Sequence, residues 1–518
     1  MDNVLIINEL YSRLLSLARD SRFGLESLRC DWGSSNSREN GSKLACFRRG
    51  MRELAMSSPI KWYKGSYYMF NGKIYEVVNV DVISIAYERM IEDLSITAAI
   101  NRLGLMDDIF LKPIRMCNLL VPSFDIVAFS NGVVDFSRGL VNPRPMPFSP
   151  EYHVIYYHPY EFDLGAKCPR WLNFIHEVLP DKTSRMILQM FLGLGLVQRG
   201  TAYNQYEGRE SNKVELCLLL IGSGANGKSV IFDVACQLFG NDRISKMTYG
   251  DLTADGDEGM RGRFPIRNMI FNWSSDSDPK DFGKARTTGM FKRLVSGEPV
   301  PMRELGKNVL ESNTIPYLIF NLNELPFPED ATFGFIRRLQ YVSFDVTIPK
   351  DRQDPELASK IISKELSGVF NWVFRGMQEL RRRKFRFPSA RGSRLQLVKS
   401  LLAAHPAMAW MKCYGLRGSA EANGEIYVWI RANTLYESLV RFCKENDVDE
   451  KKIPSKQMFG RIMWDKCSFM RRRCNTGVEY KVYGATEADI KEPVIIGTMD
   501  DVGECDECVD SFIKDDID

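Results

Sequence analysis

Residues 214–240 read VELCLLLIGSGANGKSVIFDVACQLFG. Leu218, Leu219, Leu220 and Ile221 form an unbroken apolar run, the pattern of a strand buried on both faces. GSGANGKS follows at 222–229 and matches G-x-x-x-x-G-K-[ST]. A helical pattern then opens, with Ile231, Phe232, Val234, Ala235 and Leu238 at its apolar positions. Strand, glycine loop and helix in this order are the setting in which such a loop wraps a phosphate chain. Gly222, Gly224 and Gly227 let the backbone turn its amides inward, and the helix N-terminus adds its positive dipole end. Asn226 completes the loop set. Lys228 is expected on the β- and γ-phosphate oxygens and Ser229 on Mg²⁺. ATP and Mg²⁺ are the expected cofactors.

The rest of the chain is read outward from that loop. Hydrolysis needs an acid at the end of a neighbouring strand to hold Mg²⁺ and orient water. IRNMIFNWSSDSDP (266–279) offers Asp276, with Asp278 as the alternative; an Asp capping the next turn is the bland reading. IPYLIFNLNELP (315–326) ends in Asn321 and Asn323. Asn323 is the better placed to sense a γ-phosphate, against a plain turn before Pro326. In FGFIRRLQYVSFDV, Arg337 and Arg338 directly precede a strand-like run. One guanidinium aimed at a neighbouring subunit's γ-phosphate would act as an arginine finger, and the alternative is a surface ion pair. MFKRLVSGEPVPMRELGKNVLESN (290–313) reads as a helix carrying Lys292, then a hairpin with Gly306-Lys307-Asn308 at its tip. Arg303 and Lys307 are candidates for backbone phosphates of a threaded strand; an exposed turn with an incidental lysine is the competing view.

Taken as an ordered series, GSGANGKS, SSD, FKRLVSGEPVPMRE, FNLNELP with Asp330, and FIRRL resemble superfamily 3 helicases. The similarity is nearest to the C-terminal module of phage and plasmid primase-helicases and of the poxvirus type, and it spans roughly 120–485. The resemblance implies an α/β, P-loop AAA+-like core in a ring, usually hexameric, that hydrolyses ATP and moves 3′ to 5′ on single-stranded DNA. NGVVDFSRGLV and YEFDLGAKCPRWLNFI (131–175) are similar to the domain that precedes the ATPase in those proteins. Only about 110 residues lie ahead of the resemblance. They carry no zinc-binding Cys/His set and no clear paired-acid primase motif. The expectation is a DNA helicase without its own primase, served by a separate primase or polymerase.

ANTLYESLVRFCKEND (432–447) and PSKQMFGRIMWDKC (454–467) read as two helices, and FMRRRCNTGVEYKVYG (469–484) as two strands about Asn475-Thr476-Gly477. Helix, helix, hairpin is a winged-helix order. Lys456 and Arg461, with Lys466, would face duplex DNA, and Arg471, Arg472, Arg473 and Lys481 would touch phosphates. A small packing domain is the alternative.

Charge supports a polyanion partner. The net charge of +3 conceals a tail, 486–518, with twelve acids and two lysines, which leaves the body at +13. The basic run RRRKFR (381–386) reads first as a solvated helix face. Twelve scattered cysteines fit reduced thiols in a cytoplasmic compartment. Cys505 and Cys508 form a lone CxxC, too few ligands for a zinc site. No apolar run reaches membrane-span length, and no secretory signal pattern opens the chain.

The expected division is a mixed α/β N-terminal region (1–115), a domain preceding the ATPase (116–205), the ATPase core (206–350), a helical extension (351–415), a winged-helix-like domain (416–485) and an acidic tail (486–518). Expected partners are single-stranded and forked DNA and further copies of the chain, with no membrane. The leading alternative is an ATP-gated initiator that binds origin DNA and recruits a separate helicase. A nucleotide-driven structural protein that never touches DNA is a third reading, disfavoured by the basic body.

Overall fold

The computed structural model of the 518-residue chain describes residues 3–20, 37–63, 65–94, 106–122, 126–136, 143–196, 214–275, 277–312, 314–324, 326, 335, 337–388, 398–399, 401–402, 405–418, 426–467, 469–475 and 477–496. The chain is mixed α/β with several sheets and divides into two units, Met1–Ala166 and Lys167–Asp518.

The first unit begins with α1 (Asn3–Ala18) and α2 (Ser37–Ser57). α1 buries Ile7, Leu10, Leu14, Leu15 and Ala18, a spacing of three and four that forms one stripe. An antiparallel sheet follows, made of β1 (Ile60–Tyr63), β2 (Ser66–Phe70) and β3 (Tyr75–Val78). The hairpin expected at Asn71-Gly72 joins β2 to β3. Asn71 Oδ1 accepts from the amides of Lys73 and Ile74, both at 2.8 Å, and Gly72 takes a φ of 95°, where glycine is favoured. After α3 (Val80–Asp93) and α4 (Lys112–Cys117), the strands β4 (Ile126–Phe129), β5 (Gly132–Asp135) and β6 (Tyr157–His158) form a second sheet in the order β5-β4-β6.

The second unit opens with α5 (Pro169–Val178) and α6 (Lys182–Gly193). The expected segment 116–205 therefore does not stay together: its strands join the first unit and its helices the second. The physical reason lies in what α5 and α6 pack on, described below.

Next come β7 (Cys217–Ile221), α7 (Lys228–Phe239), β8 (Ile244–Ser245), α8 (Tyr249–Thr253), α9 (Gly256–Arg263), β9 (Phe271–Ser274) and α10 (Ala285–Ser296). A hairpin of β10 (Val300–Met302) and β11 (Leu310–Ser312) precedes β12 (Tyr317–Leu322) and β13 (Leu339–Ser343). Five strands make one parallel sheet in the order β13-β7-β12-β9-β8. β7, β9 and β12 are buried at every position, as strands covered on both faces must be.

Alternation along these strands sets the two faces. Phe271 and Trp273 meet Phe239 and Phe232 of α7, with ring centroids 5.3 and 5.5 Å apart. On the other face Leu318 and Phe320 join a core with Tyr249, Phe282 and Phe291. α11 (Leu357–Arg382) is a 26-residue helix that packs beside α5, α6 and α7. It approaches α6 so closely that a Cβ on Gly376 would lie 2.2 Å from Gln189 O. Trp171 meets Trp372 edge-on at 5.4 Å. The buried Glu365 carboxylate of α11 accepts the amides of Arg170 and Trp171, each at 3.1 Å, and so caps α5 from another helix. α5 and α6 thus complete the outer layer of the parallel sheet. The basic run after Arg381 is partly anchored, since Arg382 and Arg383 both pair with Glu379.

The chain continues through α12 (Pro406–Cys413) to β14 (Tyr427–Arg431), α13 (Ala432–Glu445), α14 (Lys456–Arg461), β15 (Arg471–Cys474) and β16 (Gly477–Tyr483). The last three strands form an antiparallel sheet in the order β14-β16-β15. The two helices and the hairpin lie where expected. β14 is an additional strand, and it pairs with β16 along its full length. Among the described residues no helix is long and apolar enough to cross a membrane.

Candidate nucleotide-binding site

The glycine loop leaves the C-terminal end of β7 and enters α7. Gly224, Ala225 and Gly227 all take positive φ, at 107°, 50° and 82°. Backbone in these regions belongs to tight, glycine-favoured turns, the kind of loop from which an anion-holding concavity is built. Side chains are excluded where the loop is tightest. A Cβ on Gly222 would lie 2.1 Å from Asn226 Nδ2 and 2.8 Å from Phe344 O, and one on Gly227 would lie 2.7 Å from the Phe174 ring. The loop is held from behind as well. Gly222 N donates to Leu322 O at 3.0 Å, and Ile348 N donates to Ala225 O at 2.9 Å.

Lys228 is buried, and its Nζ donates to Gly222 O at 2.6 Å. Burial pushes its ammonium below the ordinary lysine value. Among the described residues its hydrogen-bond partner is that one carbonyl, and phosphate oxygens would add to the solvation of this buried cation. Asn226 is buried, whereas Ser223, Gly224, Ala225 and Ser229 are exposed. The donor set suits a phosphate chain: loop amides, a poised ammonium, and the exposed hydroxyl of Ser229 as an oxygen ligand for Mg²⁺.

Sheet order brings the polar ends of the neighbouring strands to the loop. β12 lies directly between β7 and β9, with Leu322 beside Ile221 and Phe320 beside Ser274. Asn321 is buried and accepts from Trp273 Nε1 at 3.0 Å, which ties the two strands together. Asn323 follows the end of β12 and is exposed, on the side where the loop begins. Asp276 and Asp330 lie outside the described residues. Asp278 caps a short turn, accepting from Lys280 N at 2.9 Å, so the bland role weighed for Asp276 is filled by its neighbour.

Arg337 and Arg338 sit at the opposite end of the sheet. Leu339, the first residue of β13, pairs with Cys217, the first of β7. The five residues of β13 therefore place both arginines about 16 Å of strand away from their own glycine loop. The pair divides in role. Arg338 is buried, and its Nη2 donates to Glu215 Oε2 and to Ser296 Oγ, both at 3.0 Å. Arg337 is exposed, with Nη2 3.8 Å from the same carboxylate. Lys292 belongs to this cluster: desolvation first, then the charges of Arg338 and Arg337, lower its pKa. Glu215 and Ser296 carried no motif signal, and only their placement identifies them.

The β10–β11 hairpin has an exposed tip in which Gly306 takes a φ of 76°. Arg303 is engaged: Nη1 donates to Asp257 Oδ1 at 2.7 Å, and Nε to Lys307 O at 2.9 Å. It shapes the loop from within. Lys307 projects from the tip, two-thirds exposed, with Nζ 2.7 Å from Glu304. Leu305 beside it is 78% exposed, an apolar group at the tip that sequence reading passed over. The hairpin's base is anchored by the buried Arg263, which donates to the carbonyls of Pro301, Leu252 and Ala254.

In the C-terminal module Lys456 and Arg461 are exposed on α14, and Arg471, Arg472 and Arg473 are exposed on β15. Lys466 has no described side chain. β15 is an edge strand, and arginines there also discourage edge pairing. Cys505 and Cys508 lie outside the described residues.

The described chain is thus a mixed α/β protein built on a five-stranded parallel sheet with a glycine loop at its C-terminal edge. A family model described as a family of unknown function, DUF5906, matches residues 220–338. Solved structures similar to the chain include the A form apo structure of the NrS-1 C terminal region, at 11% identity and a TM-score of 0.41, covering 84% of this chain and 99% of that one. A further A form apo structure of that region gives 9% identity and a TM-score of 0.41, with the same coverage. Another apo structure gives 11% and 0.37, covering 84% of this chain and 98% of that one.

Proposed function

We propose that the chain is an ATP-driven motor on single-stranded DNA, a ring-forming helicase of the superfamily 3 type that acts in the replication of a mobile element. The carrying observation is the split of cationic groups between the two ends of one parallel sheet. Lys228 and the glycine loop lie at the C-terminal end, and Arg337 lies at the other, out of reach of its own loop. A second copy, placed with its Arg337 at the first copy's loop, completes the pocket; repeated head to tail, that contact closes a ring, here taken as a hexamer.

Within that pocket, residues 222–228 hold the phosphates, Ser229 and Asp276 hold Mg²⁺, and Asn323 orients the attacking water. ATP and Mg²⁺ supply the hydrolysable phosphoanhydride and the charge that offsets it. Lys307 at each hairpin tip meets the backbone of the threaded strand, and Arg303 keeps the tip in shape. The module from β14 to β16 acts as a winged helix, with α14 and the side of β15 that carries Arg471 and Arg473 toward duplex DNA.

The test is a mixing experiment. Lys228→Ala and Arg337→Ala are each expected to abolish ATP turnover and strand displacement. Mixed in equal amounts and allowed to reassemble, they restore turnover at about a quarter of the interfaces, those with a sound loop beside a sound arginine. No recovery, with Arg337→Ala fully active on its own, would refute the shared pocket. Tight sequence-specific duplex binding without strand displacement would favour the initiator reading.

A further inference from the structure

The three strands β14, β16 and β15 have two very different faces. On one, Ile430, Tyr480 and Val482 are fully buried. Tyr480 OH donates to Gly460 O of α14 at 3.3 Å, so α14 lies against this inner face. Alternation turns the other set outward. Register places Tyr427 beside Tyr483 at the end of the ladder and Trp429 beside Lys481 at its middle, with Arg472 across from Glu479 on the next outward rung.

An outward face of an antiparallel sheet ordinarily carries small or charged polar groups. Here it carries three aromatic rings interleaved with cations. Lys481 Nζ lies 3.8 Å from the Tyr427 centroid and 5.2 Å from that of Tyr483. The Arg472 guanidinium lies 4.3 Å over Trp429. Tyr427 and Trp429 stand 6.5 Å apart, and Tyr427 and Tyr483 5.8 Å apart. Tyr427 and Arg472 are exposed, and Trp429, Lys481 and Tyr483 are half-buried against one another. None of these aromatic residues lies within the glycine-loop site or the α14 surface.

We propose that this outer face is a stacking platform for single-stranded nucleic acid, separate from the duplex-facing surface of α14. Planar rings and a ring-stacked guanidinium offer π faces that any unstacked base can use, and lysine and arginine beside them take the phosphates. The Tyr427 and Trp429 rings stand edge to face, at 89° with centroids 6.5 Å apart, so they suit splayed bases turned away from one another and not a continuous base stack. In a duplex the base faces are hidden in the stack, which makes a face of this kind selective for single strands. The surrounding charge has the same sense: Arg431 shares this face, across from Glu479, and Glu479 is paired to Arg472 at 2.8 Å. The inference stands apart from ATP hydrolysis, because stacking requires no nucleotide.

The test uses the full chain without nucleotide and fluorescence anisotropy with two probes, a labelled oligothymidylate of about 20 nucleotides and a blunt duplex of similar length. Tyr427→Ala/Trp429→Ala is expected to weaken oligothymidylate binding at least about tenfold and to leave duplex binding within about twofold. Lys456→Ala/Arg461→Ala is expected to do the reverse. Tyr427→Ala alone, at an exposed position, gives about a fivefold loss with the thermal midpoint of the parent, which separates stacking from folding. Oligothymidylate affinity unchanged in both ring variants overturns the proposal, as does an equal loss on both probes or no oligothymidylate binding by the parent chain. ATP turnover by the same preparation judges the motor reading independently.

Discussion

Arg338 donates through Nη2 to Glu215 at 3.0 Å, while Arg337, one residue earlier, points at the same carboxylate from the solvent side. Both arginines lie in the turn just ahead of β13, where Arg338 is buried between Glu215 and Ser296 while Arg337 stays at the surface. This separates a structural arginine from one available to a neighbour. Arg338→Ala is expected to cost about 1–3 kcal/mol, because it strips the partner from Glu215 and Ser296. Arg338→Lys recovers little of this, since one ammonium cannot reproduce the fork. Arg337→Ala is expected to shift stability by less than about 0.5 kcal/mol, yet to lower ATP turnover by about a thousandfold or more. Urea melts and turnover assays on the three variants check both parts.

Lys228 ties stability to function in the opposite sense. Burial lowers its pKa, so keeping it charged costs the folded protein free energy. Between that lowered pKa and the ordinary lysine value, the unfolded chain holds the proton and the folded one releases it. Stability from this group therefore rises with pH across that interval and is constant below it. Phosphates stabilise the charged form, so nucleotide affinity falls as pH climbs through the same interval, with proton uptake on binding. Lys228→Met is expected to match or exceed the parent in unfolding free energy, by up to about 1 kcal/mol, while losing ATP binding. Calorimetric titrations in buffers of different ionisation enthalpy measure the proton uptake.

What was legible in the sequence follows from how local each signal is. The glycine loop is written in eight consecutive residues, 222–229, and its strand and helix flank it without a gap. The β10–β11 hairpin, α10 and the β15–β16 pair were equally readable from turn residues between periodic runs. Partners far apart in sequence were not. Glu215 lies 123 residues from Arg338, and Glu365 lies 195 from the amide it caps. A single carboxylate carries no pattern, and only the fold brings it to its partner. The boundary between units was missed for the same reason, since α5 and α6 join the parallel sheet's layer through contacts with the distant α11. β14 is different, because YVWIR is a plain β-branched and aromatic run that deserved a strand assignment.

The hairpin tip separates shape from contact. Arg303 reaches both Asp257 and Lys307 O, so its removal loosens the loop that presents Lys307. Asp257→Ala removes one of those two ties and is expected to reproduce Arg303→Ala in part. Both lower the ratio of DNA-stimulated to unstimulated ATP turnover and speed amide exchange at 304–308. Lys307→Ala lowers the same ratio without changing exchange, because it deletes a phosphate contact and no internal hydrogen bond of the loop except its link to Glu304. Turnover with and without single-stranded DNA, alongside hydrogen exchange, distinguishes the two behaviours.

Glu365 connects the helical layer to the phosphate loop. Its carboxylate accepts the first free amides of α5, at Arg170 and Trp171, where Pro169 at the first turn has no N–H to offer. α5 in turn carries Phe174 and Val178, which press against Gly227 from behind. Glu365→Ala leaves two amides of α5 without this acceptor and is expected to cost about 1–2 kcal/mol. Both amides converge on Oε2, so Glu365→Gln can keep that acceptor but sets an NH₂ where Oε1 faces the Arg170 guanidinium at 3.6 Å, and it recovers much but not all of the loss. Since Phe174 moves with α5, the alanine variant is also expected to raise the KM for ATP several-fold, an effect absent from a surface variant such as Lys364→Ala. Equilibrium unfolding and steady-state kinetics on the three proteins decide whether the cap on α5 also sets the shape of the loop.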